Sequence, residues 1–413
     1  MSVAHALPVP SAPPTIAEYQ SPAVHRDPYP FYARLRRERP MFPVERGNMA
    51  GPSYMACRYD DVLFVLKDER FGSDRRSAGV EPSWVERKLI MDLNNTMVMR
   101  DGVDHRRLRN LAHQAFTTSR VEALTARVEG LVGELLDRME RAGTADLIAG
   151  LALPLPITVI CDLMGVPERD RSTFHRWMSG LVDVDSGAIG SLVRMVPKMI
   201  GLFRFIRRLI ERRRKDRGDD LLSALIAAEE DGSRLSEKEL VSSTFLLLLA
   251  GHETTVNLIG NGMLALVENP EQLERLRADP ELIDSAVEEL LRFTSPVQMP
   301  APRFAIQDVE VGGVLIRRGQ AVAPLIGSAN RDETHFPDPD ALDLGRSPNR
   351  HLAFGFGVHY CVGAPLARLE ARAVFRALSQ RFPRAALAVP REKIRWRKSR
   401  ALRGLQALPL RLR

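Results

Sequence analysis

The sequence predicts a mainly α-helical fold with a smaller β region. Three observations carry this. Apolar residues recur at helical spacing over most of the chain. One such segment opens at Ser236 and stops before Asn269-Pro270; at about 30 residues it spans about 45 Å and crosses the molecule. Residues 303–316 alternate instead, with Phe304, Ile306, Val309 and Val311 before Gly312-Gly313, then Val314 and Ile316. That is the pattern of a hairpin closed by a tight turn.

Met1 to Thr15 is rich in Pro and Ala and lacks the basic start and apolar core of a signal peptide. It is expected to be a flexible N-terminal arm. Residues 16–413 are expected to form a single domain, because no repeat and no composition break divides them. A short helix lies within 28–40, strand-like pieces lie near Ser53 to Cys57, and a helix runs from Tyr59 to Lys67. Residues 72–98 read as a long loop. Helices follow over 105–116, 119–141, 154–164, 168–180 and 190–216. Asp219 and Asp220 cap a helix from Leu221 to Glu230. Ser236 with Glu239 three residues on is a capping box for the long helix. Pro270–Ala278 and Glu281–Phe293 are two more helices. An irregular stretch holds Pro337, Pro339 and Pro348. A glycine-rich loop, a last long helix and a β-like tail end the chain.

The net charge is +7, and the densest basic run is Arg212-Arg213-Arg214-Lys215. No aromatics interleave with it, so nucleic acid is not an expected partner. A basic surface would instead steer an acidic protein. No uninterrupted apolar stretch reaches membrane-spanning length, and Leu192 to Ile210 is broken by Arg194, Lys198, Arg204, Arg207 and Arg208. Stable membrane insertion is therefore not expected. Cys57, Cys161 and Cys361 are too sparse for a disulfide framework and suit a reducing cytoplasm.

Cys361 is the candidate for chemistry. Gly355, Gly357 and Gly363 flank it, and Pro365 suits the first turn of the helix that follows. A sulfur at a helix start meets free backbone N–H groups and the positive dipole end, which favour a thiolate, a soft ligand for iron. Phe354 to Gly363 resembles the haem-binding signature of the cytochrome P-450 superfamily. Mid-helix, Ala250-Gly251-His252-Glu253-Thr254-Thr255 combines an interior glycine with hydroxyls that can open a bulge. It resembles the oxygen-activation motif of the same superfamily. Glu289 and Arg292 stand i, i+3 on one helix, and His105 and Arg109 stand i, i+4 on another.

The resemblance covers the chain from about Asp27 onward. It implies the P-450 fold, with the long helix crossing a haem b, and Cys361 as axial ligand of its iron. It implies Glu253 as the acid and Thr254 as the hydroxyl that deliver protons, with Ala250 and Gly251 facing the haem. Phe354 and Gly363 belong to the haem-binding loop. His105, Arg109, Arg303 and His359 match positions that hold the propionates. Glu289, Arg292 and Arg346 match a structural lock behind the cysteine loop. Two departures stand out: Leu342 replaces a common aromatic, and Gly102-Val103 replaces common prolines.

The implied function is a haem-thiolate monooxygenase of the soluble bacterial type, inserting one oxygen atom from O2 into a lipophilic molecule by hydroxylation or epoxidation. The substrate classes in view are terpenoid, steroid, fatty acid and polyketide, which suits secondary metabolism. Electrons would come from a ferredoxin or flavodoxin with its NAD(P)H-dependent reductase, docking near Arg106, Arg107, Arg368 and Arg372. Leu246, Leu247 and Val297 to Ala301 are pocket candidates. The stretches Ser83 to Val98 and Leu181 to Val193 are expected to wall the pocket and act as its lid. The alternatives are a peroxygenase using hydrogen peroxide and a haem-binding sensor without turnover.

Overall fold

The computed structural model describes residues 13–44, 53–81, 96–113, 116–142, 144–171, 173–174, 189–218, 220–230 and 235–412. Two short helices open it, Ile16–Tyr19 and Pro22–Arg26, capped by the hydroxyls of Thr15 and Ser21. Thr15, placed at the end of the expected arm, is thus a helix cap, and residues 1–12 lie outside the described residues. The helices used below are α1 (Tyr29–Glu38), α2 (Tyr59–Lys67), α3 (Gly102–His113), α4 (Thr125–Ala142), α5 (Pro154–Leu163) and α6 (Ile189–Lys215). They continue with α7 (Leu221–Glu230), α8 (Glu237–Glu268), α9 (Pro270–Ala278), α10 (Ile283–Thr294) and α11 (Ala364–Arg381).

Helix α8 is the organising element. Its 32 residues begin with the expected capping box: Ser236 Oγ accepts from Glu239 N, and the Glu239 carboxylate accepts from Ser236 N. Most of its residues from Leu240 to Leu266 are buried, as befits a helix apolar on nearly all sides. Helices α5, α10 and α11 pack against it. Close approach rests on glycine: a Cβ at Gly262 would stand 2.5 Å from the Phe375 ring of α11.

The β region is a mixed sheet in the order β1-β2-β8-β5-β3, built from Met41–Val44, Ser53–Ala56, Ala321–Pro324, Arg303–Ala305 and Phe71–Gly72. Only β2 and β8 run parallel. A second sheet joins β4 (Thr144–Asp146), β10 (Pro409–Arg411) and β9 (Ala386–Leu387), and β6 (Val309–Val311) pairs with β7 (Val314–Ile316).

Some expected boundaries shift. The helix expected over 119–141 is two, Thr118–Glu122 and α4, with a turn at Ala123-Leu124. The run 303–311 is not one strand. Its first half joins the mixed sheet through Ile306 N to Arg70 O, whereas β6 and β7 alone form the hairpin around Gly312-Gly313. Helix α3 starts at Gly102, whose φ of +61° turns the chain into it. A π-helical turn, Ile148–Ala152, precedes α5 and had no signal in the spacing. Helix α6 carries Pro197 in its interior. The helix expected over 168–180 is described at 168–171 and 173–174. Of the expected lid, 83–98 and 181–193, residues 83–95 and 181–188 lie outside the described residues, as does Asp219.

Candidate active site

The loop before α11 is shaped by its glycines. Gly355 and Gly357 take φ of +72° and +71°, values that side chains rarely tolerate. A Cβ at Gly357 would also press to 3.0 Å from Leu66 O of α2. Between them the chain folds so that Cys361 N donates to Phe354 O at 2.9 Å. Gly363 caps α11, and Pro365 sits in its first turn.

Cys361 lies on the wall of a cavity of about 260 Å³. Its side chain is exposed and faces that cavity, although protein atoms crowd around the sulfur. Burial raises the Cys361 thiol above its ordinary value, outweighing the Gly363 N–H, the Arg109 and Arg368 guanidiniums and the Ala364 N–H. The N–H groups at the helix start do favour the thiolate, as expected, but desolvation outweighs them. A bound cation at the sulfur would favour its ionised form. Cys57 and Cys161 are buried, and burial raises both thiols, Cys161 to about 12. They are inert packing.

The residues singled out in the sequence converge here. His105, Arg109, Ala250, Gly251, Thr254, Arg303, Phe354, His359, Cys361 and Gly363 all line this one cavity, and so do Leu246, Leu247 and Val297. Ala250 is exposed and Gly251 and Thr254 are only partly covered, on a helix whose middle is mostly buried. Met97 and Pro300, from stretches expected to wall the pocket, line it too, and Phe116 and Ile326 add apolar walls that the sequence did not single out.

Glu253 is the exception. It is 3% exposed and does not line the cavity. Its Oε1 accepts from Arg397 Nη1 at 2.7 Å, and His252 Nε2 lies 3.9 Å from Oε2. Thr254 Oγ1 donates to Ala250 O at 3.1 Å. The expected bulge does not accompany that bond, because α8 runs unbroken through the motif.

One edge of the cavity is cationic. Arg303 Nη1 donates to Ser73 Oγ at 2.5 Å, and Ser73 Oγ lies 2.9 Å from His359 Nε2. Asp101 accepts from the backbone of Ser73 and Asp74 and stands 3.6 Å from His359. The His105 and His359 rings are 4.2 Å apart. Burial, with His359 and Arg109 nearby, drives the His105 imidazole down to about 4, and burial lowers Arg303 to about 10. Buried His105 Nε2 has no hydrogen-bond partner among the described residues. Two guanidiniums, an orphaned imidazole and a sulfur around one apolar cavity fit a flat iron porphyrin with two carboxylates. Ser73 and Asp101 tie this edge together; Ser73 had no motif to reveal it.

The lock forms as expected. Arg292 gives Glu289 two bonds of 2.8 Å, and Arg346 Nε reaches both Glu289 oxygens at 3.1 Å. Arg292 also donates to the carbonyls of Asn330, Pro339 and Ala341. Leu342 fills its place as a buried side chain. Of the expected docking cations, Arg368 pairs with Glu288, Arg372 with Asp284 and Arg107 with Glu239, whereas Arg106 is exposed.

Comparison with known proteins agrees with this geometry. A family model described as "Cytochrome P450" matches residues 14–387. The chain is 44% identical to the polyketide biosynthesis cytochrome P450 PksS of Bacillus subtilis (strain 168), covering 94% of this chain and 96% of PksS. The solved PksS structure superposes with a TM-score of 0.87, covering 95% and 98%. Identity to the cytochrome P450 monooxygenase PikC of Streptomyces venezuelae is 45%, over 94% and 91%. The structure of P450BioI with an acyl carrier protein bearing hexadec-9Z-enoic acid matches at TM-score 0.87 and 37% identity, over 95% and 99%. With the fold, the cysteine loop and the convergent cavity in agreement, the chain belongs to the cytochrome P450 family of haem oxidoreductases.

Proposed function

We propose that this protein is a haem-thiolate monooxygenase that inserts one oxygen atom from O2 into a lipophilic molecule of polyketide or fatty-acyl type. One observation carries the reading. A lone sulfur, a helix face of Ala250, Gly251 and Thr254, and the apolar side chains Leu246, Leu247 and Val297 share a single cavity. The names of PksS and PikC and the acyl chain in the P450BioI complex support the substrate class.

In this reading Cys361 holds the iron of a b-type haem, and His105, Arg109, Arg303 and His359 hold its carboxylates. Bound haem supplies the activation of dioxygen. The protein's own residues do the rest. Leu246, Leu247 and Val297 orient an apolar substrate and exclude water from it. Thr254 Oγ1 holds a proton at the cavity wall, and Glu253 replenishes it. Electrons come from a separate ferredoxin- or flavodoxin-type protein with its reductase. The exposed side chains of Phe356 and Val358 on the cysteine loop, with Arg106 on α3, offer it an apolar and cationic landing. Among the described residues no helix is long and apolar enough to cross a membrane; with two buried, unpaired cysteines this supports a cytoplasmic setting.

The test is reconstitution with a ferredoxin, its reductase and NAD(P)H, screening polyketide lactones and fatty acids for a substrate-induced Soret shift and an oxygenated product. Product that forms only with the electron chain supports the reading. Product formed with hydrogen peroxide alone, at an equal rate, overturns it in favour of a peroxygenase. A chain that binds haem but consumes no reductant with any such compound would be a sensor.

A further inference from the structure

Beside the active-site cavity lies a second, much smaller one of about 10 Å³. Three helices enclose it. Leu111 and Ala112 come from α3, Leu225 from α7 and Ser243 from α8, with Leu235 from the chain that leads into α8. The four apolar side chains among these are at most 7% exposed. Protein interiors are close-packed and keep few such voids, so the place of this one is informative. Met97, Leu246 and Leu247 line both cavities and form the partition between them. Leu246 and Leu247 stand one turn of α8, about 6 Å along its axis, before Ala250 and Gly251, which face the active-site cavity. Met97 is unbranched and has three rotatable bonds, so it can swing aside without moving the backbone.

Size and chemistry select the occupant. A buried water needs about 10–15 Å³ and about two to four polar partners. The pocket is at the lower edge of that size, and among the described residues Ser243 is its one polar lining side chain. Apolar cavities stay dry and take up small uncharged molecules. No charged side chain lines this one, so an ion has no counter-charge there. A polyketide or fatty-acyl chain is far too large. A diatomic gas is small and apolar enough to enter.

We propose that this pocket is a holding site for dioxygen, from which the gas passes Met97, Leu246 and Leu247 into the active-site cavity. The proposal rests on the monooxygenase reading, which makes dioxygen a co-substrate. A lipophilic substrate packed in the active-site cavity would obstruct a gas arriving by the same way. A pocket behind the α8 side chains that orient the substrate lets the gas wait close to the haem while the substrate stays in place. Met97 is the mobile part of the partition, and Ala112 and Leu225 set the size of the pocket behind it.

The test uses the haem-loaded protein, with xenon as the first probe, because dry apolar cavities bind it. Crystals under xenon pressure should show its anomalous signal among Leu111, Leu225 and Leu246. Ala112→Val and Leu225→Phe fill the pocket from different walls, and both should abolish that signal. In both variants carbon monoxide and dioxygen should associate with the reduced haem about threefold more slowly, or slower still, by flash photolysis and stopped flow. Xenon pressure should slow carbon monoxide in the wild type and not in Ala112→Val. The carbon-monoxide spectrum and the substrate-induced Soret shift should be unchanged. If one variant does not fold, the other decides alone. A pocket without xenon, or wild-type gas kinetics in a filled variant, overturns the proposal and leaves the monooxygenase reading intact. Wild-type gas kinetics with weakened substrate binding also overturns it, and gives the pocket to a branch of the substrate. A wild type that takes up xenon and carbon monoxide as expected, yet forms no oxygenated product with the electron chain, removes the reading and the role of the pocket with it.

Discussion

Glu370 shows how far burial alone can move a side chain. It stands on α11 nine residues after Cys361, 1% exposed, with neither oxygen hydrogen-bonded among the described residues. Burial pushes its carboxyl up to about 8, and only the nearby Thr255 hydroxyl opposes this. The folded state therefore keeps a proton that the unfolded chain releases near the ordinary glutamate value of 4.5. Between those values the native state binds more protons, so stability falls as pH rises from about 4.5 to 8. The slope approaches about 1.4 kcal/mol per pH unit. Thermal unfolding of wild type and Glu370→Gln across that window checks this. The substitution should flatten the wild-type decline and stabilise most at the alkaline end, and parallel curves would refute it. At this scale the sequence was legible where a residue sits inside a motif. Cys361, Thr254 and the four propionate candidates reach one cavity, as the resemblance of their motifs implied. Arg397 was not legible, because it meets Glu253 across 144 residues of chain. Neither was the resting place of Glu253, since a motif names a carboxyl without saying which side of the helix its partner occupies.

Helices meet in this protein by glycine contact and by buried ion pairs, and each can be broken separately. Gly262→Ala would gain about 1 kcal/mol of helix propensity. It would also place a methyl group 2.5 Å from a ring carbon of fully buried Phe375. Overpacking of that kind costs about 1–3 kcal/mol, so a net loss is expected. Phe375→Leu in the same chain should recover part of it in a double-mutant cycle of chemical denaturation; strict additivity would rule out the contact. Glu289→Ala should cost more, about 3–5 kcal/mol, because it leaves Arg292 buried at 0% exposure without its carboxylate. Arg292→Lys should fail to rescue, since one ammonium cannot meet a bidentate carboxylate and three carbonyls. A denaturant midpoint within error of wild type in either variant would deny the lock its structural role. Element boundaries followed the caps where caps exist, as at Ser236 and Pro270. They drifted where tertiary contact decides. The alternation over 303–311 reads as one strand, yet Ala305 belongs to the mixed sheet and Val309 to the hairpin.

For the whole molecule, the long helix is both wall and floor. Its cavity side carries Ala250, Gly251 and Thr254, its far side meets the tail of the chain at Arg397, and α11 runs from Cys361 to pack beneath it. The first and last parts of the sequence close on it together: Tyr29 Oη reaches the carbonyls of Phe293 and Thr294, and Arg403 reaches those of His25 and Arg26. Everything in this arrangement presupposes that the sulfur of Cys361 binds iron. The most direct measurement is the visible spectrum of the reduced, carbon-monoxide-bound protein, taken for wild type and for Cys361→Ala. A strongly red-shifted Soret band in wild type, lost in Cys361→Ala, is the result predicted. A wild type without that band, or a Cys361→Ala variant that keeps both its haem and the band, would contradict the assignment of Cys361 as the ligand.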